Sequence, residues 1–94
     1  MAKLRSAVLV AATLALAAPA VAGPYEDGEA AYKAGDFARA VEVWKAPAQA
    51  GDIGAQFKLG VMYNGGIGVP RDYVEAVIWF HRAAEQGDAE SQFN

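Results

Sequence analysis

Three glycines, Gly65, Gly66 and Gly68, stand between Tyr63-Asn64 and Pro70-Arg71-Asp72 in the stretch GVMYNGGIGVPRDY. A glycine-rich loop that opens a helix can cradle a phosphate, because its backbone N–H groups are bare and the helix dipole favours an anion. These residues do not complete that chemistry. A Walker-type loop ends in Gly-Lys-Ser/Thr, whereas Gly68 leads into Val69-Pro70. A dinucleotide loop needs a strand before it and a third glycine where this chain has Arg71. The glycines read better as a connector: they supply positive φ where the chain reverses between antiparallel helices. Pro70 then stiffens the exit and Asp72 caps the next helix.

Other reactive residues are sparse. His81 is the only histidine, so no His-x-x-x-His metal pair exists. It falls near the middle of a helix, where a solvated position is expected. Ser91 lacks the strand–turn–helix setting of a nucleophile elbow. Glu26-Asp27 sits at a helix start, where acids favour the helix dipole. Asp36, Asp52, Asp72 and Asp88 recur at helix caps, so architecture accounts for them without acid–base catalysis. The chain has no cysteine, which removes disulfides, zinc–thiolate sites and thiol catalysis together. No catalytic, cofactor-binding or metal-ligating residue is assigned, no cofactor is expected, and no particular binding residue is singled out.

The chain has 94 residues and a net charge of −3. Residues 1–22 have the layout of a secretory signal peptide. Lys3 and Arg5 precede the apolar run AVLVAATLALAA over residues 7–18, and Ala20-Val21-Ala22 offers a small-residue cleavage site. The run is short of the roughly 20 residues a membrane span needs, so cleavage is expected rather than an uncleaved anchor. Without cysteine there is no lipoprotein anchor. Cleavage after Ala22 leaves a 23–94 domain with six Lys/Arg against eleven Asp/Glu, 6 − 11 = −5. That balance argues against nucleic acid and, after cleavage, no membrane association is expected. A periplasmic or secreted acidic protein is expected, held together by packing alone.

The domain is a repeat. Shifted by 36 residues, 36–58 and 72–94 agree at eight of 23 positions. The pairs are Asp36/Asp72, Ala40/Ala76, Val41/Val77, Ala48/Ala84, Gly51/Gly87, Asp52/Asp88, Gln56/Gln92 and Phe57/Phe93. Such a period is the signature of an array. A helix near 25–34 should stop at Gly35. Asp36 caps the next, with Phe37, Ala40, Val41, Trp44 and Ala48 on it and a stop at Gly51. Pro47 should kink or split that helix near Lys45–Ala46. Asp52 caps a third. Asp72 caps a fourth, with Glu75 completing a capping box. Its single apolar face is Tyr73, Ala76, Val77, Phe80, Ala83 and Ala84, and Gly87 should stop it, with Asp88 capping another. Ala40, Gly60, Ala76 and Ala84 let helices approach, while Trp44, Tyr63, Trp79 and Phe80 fill the spaces beside them.

Residues 51–94 read GD-x-x-AQ-x-x-LG-x-MY-x-x-G-x-GV-P-x-DY-x-x-A-x-x-WF-x-x-AA-x-x-GDAESQ. This pattern closely resembles the Sel-1-like repeat, a relative of the tetratricopeptide repeat. Residues 51–87 correspond to one full repeat and 88–94 to an incomplete one, while 25–50 resemble a shorter tetratricopeptide-like unit. The resemblance implies an all-α, α/α solenoid of antiparallel helix pairs that binds a protein or peptide partner. It implies no reaction. Two rival readings are an exported cell-wall-related hydrolase and a fragment of a longer repeat protein without an independent role. Some exported relatives have been given such hydrolase names, but they are typically disulfide-rich, unlike this chain. With nothing to cover them, Phe93 and the apolar side of 73–86 should stay partly exposed, and the expectation is either weak stability or self-association through that C-terminal face. The mature chain should begin at Gly23, with Val21 as the second choice, and intact-mass measurement of the exported form checks it; a terminus at Met1 or Ala2 would contradict cleavage.

Overall fold

The computed structural model describes residues 23–93, with side chains through Asp88. The expected signal segment at 1–22 and the side chain of Phe93 lie outside the described residues. Four helices succeed one another: α1 Pro24–Lys33, α2 Phe37–Gln49, α3 Ile53–Gly65 and α4 Tyr73–Phe93. Each packs on the next, and no strand occurs among the described residues. The fold is all-α, built as consecutive helix pairs.

The joints arise from two residues each. At the end of α1, Gly35 has φ +83°. Its N–H donates to the Tyr32 carbonyl, and the Asp36 N–H donates to the Ala31 carbonyl, both at 2.9 Å. This is the Schellman closure, which satisfies last-turn carbonyls that no helix residue can reach. Asp36 then turns its carboxylate to the next helix, accepting the Arg39 N–H at 3.3 Å. The same grammar recurs at Gly51, with φ +105°. There Gly51 N–H donates to Ala48 at 3.1 Å and Asp52 N–H to Pro47 at 2.9 Å. Asp52 in turn accepts the Ala55 N–H at 3.0 Å. A glycine that ends one helix and an aspartate that starts the next thus make a complete reversal.

The third connection is longer. Gly66 closes α3 at φ +65°, and Gly68 also has φ +75°. Ile67 N–H donates to Met62 and Asp72 N–H to Tyr63, both at 2.9 Å, so the loop is tied back onto α3. Gly68 lies against the start of α2: a Cβ there would come within 2.6 Å of the Phe37 carbonyl. Ile67 and Val69 pack on the core. The glycine stretch is therefore a connector and a brace on the first helix pair.

Trp44, with no exposed surface, locks α1 to α2. Its indole N–H donates to the Tyr25 carbonyl at 3.0 Å, and it lies so close over Gly28 that a methyl there would overlap the ring. Gly60 receives Phe80 in the same way, since a Cβ would meet that ring at 2.6 Å. Ala40, Val41, Ala48, Ala55, Leu59, Met62 and Trp79 complete the interior.

Four expectations change. Pro47 does not split α2, which runs unbroken through it. Its missing N–H costs one hydrogen bond near the helix end, while buried Trp44 and Ala48 hold the helix on either side. The capping box is half formed. The Asp72 carboxylate accepts the Val74 and Glu75 N–H groups, each at 3.1 Å. The Asp72 N–H goes to Tyr63 rather than to the Glu75 side chain. Gly87 does not stop α4, which continues to Phe93 with no cap at Asp88. Gly87 is not among the glycines with positive φ, so it lacks the left-handed conformation that ends a helix, and the helical hydrogen-bond ladder runs on through it. Finally, Ala84 is exposed rather than packed between helices.

Gly35 has open space around its missing Cβ, whereas Gly68 does not. Gly35→Ala should cost about 1–2 kcal/mol from left-handed backbone strain alone. Gly68→Ala should cost clearly more, as strain and collision add. Urea unfolding of the two variants checks the order.

Candidate binding surface

The described residues hold no group of three or more His, Asp or Glu side chains placed to bind a metal. His81 is exposed and sits 3.3 Å from Glu85 on the next turn, as a solvated helix position should. The glycine loop is tied up in its own turn and against Phe37. The unusual surface is apolar, and it lies on α4.

The register shows why. Ala76 and Ala83 are buried against α3, with Phe80 half-buried beside them. Tyr73, Val77 and Ala84 lie roughly 70° further round the helix and are exposed. The stripe expected to form a single buried face is thus two faces, of which α3 covers one. Val74 and Ile78 extend the uncovered side further. The 36-residue shift makes the comparison internal: Val41 on α2 has 0% exposure, and its counterpart Val77 has 64%. Ala48 is buried while Ala84 is not. In the first pair α3 lies over these positions; in the second the described residues place no helix there.

Phe57 widens the surface. It is 54% exposed on α3 and stands 5.4 Å from the Phe80 ring, inclined at 58°. Ile53, Gly54, Phe57, Phe80, Ala83 and Ala84 line a groove of about 590 Å³ between α3 and α4. Elsewhere on α4 the Arg71 guanidinium stands 5.7 Å over the Tyr73 ring, and His81 lies 3.3 Å from Glu85. The two shifted titrations lie elsewhere. Burial, then the Glu29 carboxylate, pushes the Tyr25 phenol up. The hydrogen bond that the Lys45 ammonium donates to the Glu42 carboxylate pushes its pKa up. Such a surface offers shape and apolar area for a partner rather than groups that could move a proton. Contiguous exposed apolar patches of this kind mark interaction sites.

Residues 53–88 match the family model of the Sel1 repeat. These residues form a Sel1 repeat. The matched stretch takes in α3, the glycine connector and α4 as far as Asp88, so the groove belongs to the Sel1 unit itself, while α1 and α2 lie outside the match. Sel1 repeats commonly mediate protein–protein interaction. No curated protein and no solved structure matches the chain.

The sequence singles out no binding residue, yet it holds a signal. Tyr73, Val74, Ala76, Val77, Ile78, Phe80, Ala83 and Ala84 together spread over more of the helix surface than one neighbour covers. Val77→Asp should change stability by no more than about 0.5 kcal/mol, the range of surface substitutions. Val41→Asp, at the equivalent buried position, should cost several kcal/mol or prevent folding, because it buries an unpaired charge. Thermal unfolding followed by circular dichroism checks the contrast.

Proposed function

We propose that this Sel1 protein is an exported, non-catalytic scaffold that works in the periplasm or outside the cell and engages a protein or peptide through the α3–α4 groove. The observation that carries the reading is the exposure of Val77 and Phe57 beside a groove with almost wholly apolar walls. Burying such side chains contributes at most about 1.5–3 kcal/mol each, set against the entropy cost of association, so a partner must cover the groove and its exposed neighbours together. The signal-like residues 1–22 support the compartment, and the mature charge of −5 (six Lys/Arg against eleven Asp/Glu) favours a partner that is not itself strongly acidic. No described helix is long and apolar enough to cross a membrane. At high concentration the same surface can also bring two copies together.

A photo-cross-linking residue at position 77, expressed in the full chain, tests this. Cross-linked adducts with a defined protein in the exported fraction, lost when the cross-linker is moved to exposed Ala30 on α1, are the expected result. Equal adducts at both positions, or none at 77, would contradict it.

A further inference from the structure

Two side-chain oxygens of the interior are unused. Gln56 on α3 is buried, with 4% exposure. Its Nε2 donates to the Ala48 carbonyl at 2.9 Å and ties α3 to the end of α2. Its Oε1 is shielded and has no hydrogen-bond partner among the described residues. Turning this amide over would set oxygen against the Ala48 carbonyl, so the orphan is an acceptor. Gln86 on α4 repeats the pattern, its Oε1 also buried and without a partner. That amide lies over the Gly51 joint, its nitrogen 3.2 Å from where a Cβ at position 51 would stand. Such orphans are uncommon, because each costs the desolvation of an oxygen with no bond in return.

Both glutamines line one cleft, about 320 Å³ in volume. The end of α2, over Ala48–Gly51, lines it too, with Arg82 and Glu85 of α4. A helix C-terminus is the negative end of the macrodipole, and the last turn of α2 carries no basic residue to offset it. Glu85 adds a carboxylate. Arg82 is the cation of the lining, but its guanidinium stands 4.8 Å over the Trp79 ring, whose π face attracts the charge. The cleft thus gathers acceptors and negative potential, while its own cation is engaged beside it.

We infer that this cleft binds a primary ammonium group, carried by a lysine side chain or by a small alkylamine. An ammonium has three donors on one rotatable bond. The two orphan oxygens and the Glu85 carboxylate are three acceptors for them. A cation without N–H groups would leave both amide oxygens unpaired. A water molecule would pair them but would gain nothing from the charge of Glu85 or the end of α2. The cleft shares no lining residue with the apolar α3–α4 groove, so it does not depend on what fills that groove.

Two-dimensional NMR of the full chain, following the side-chain amides of Gln56 and Gln86, tests this. Nα-acetyl-lysine methylamide and n-butylammonium should each shift both amides saturably. Tighter binding of the lysine derivative supports a peptide-borne ammonium, and equal binding supports the free amine as a sufficient ligand. The Nε-trimethyl form of the lysine derivative keeps the charge and loses the donors, and should bind at least fivefold more weakly. Gln86→Met, similar in size but without the oxygen, should weaken the lysine derivative at least fivefold. Without ligand it should raise the Tm, because an orphan acceptor is removed. Glu85→Gln, at an exposed position, should weaken binding at least threefold with the fold intact by circular dichroism. Val77→Asp should leave the titration unchanged, which separates this site from the scaffold reading. No saturable shift, equal affinity for the trimethyl form, or undiminished binding by both folded variants overturns the inference. A lower Tm for Gln86→Met also overturns it, since the oxygen is then satisfied without a ligand.

Discussion

Trp44 is the side chain on which the arrangement depends. It is fully buried on α2, takes the Tyr25 carbonyl as its hydrogen-bond partner, and requires a glycine at position 28 for α1 to approach. Lys58 of α3 comes over the same ring. Three helices are therefore registered on one indole, and truncating such a residue costs about 3–5 kcal/mol. In a domain this small that is a large part of the total stability. α4 has no equivalent. Phe80 occupies the place of Trp44, but it is covered by α3 alone and left open toward the next position in the stack.

Among the described residues, α1 and α4 therefore present unlike outward sides. The outward side of α1 is polar, with Glu26, Asp27 and Lys33 exposed, the character a repeat array needs where it meets water. The outward side of α4 is apolar. Its residues stay uncovered because helix packing is pairwise: a helix with an apolar surface wider than one neighbour needs a second neighbour. Function comes out of this geometry. Asp36, Asp52 and Asp72 are engaged in capping, and the apolar side of α4 is left exposed among the described residues.

The joints were legible in the sequence because they are local. Gly35-Asp36 and Gly51-Asp52 each carry their reason within two residues, a left-handed φ and a capping carboxylate. The glycine connector was legible for the same cause, although its brace against Phe37 was not. The same local grammar misled at Gly87-Asp88, where the residues are right but the helix continues, because Gly87 lacks the left-handed φ that closes a helix at Gly35 and Gly51. Pro47 misled in the opposite sense: a local breaker was overruled by burial of Trp44 and Ala48. The stripe on α4 was correctly apolar and incorrectly single. Periodicity fixes which residues share a side of a helix, but how much of that side is covered is a property of the neighbours, and only the comparison of Val41 with Val77 reveals it.

The central claim is that α2 is covered on two sides and α4 on one. Native-state hydrogen exchange measures this residue by residue, since protection tracks the free energy of local opening. Protection should be greatest across Ala40–Ala48 and Ala55–Met62, lower across Ala76–Ala83, and least beyond Gly87. Protection in α4 equal to that in α2, in the protein alone and at a concentration where it is monomeric, would contradict the account.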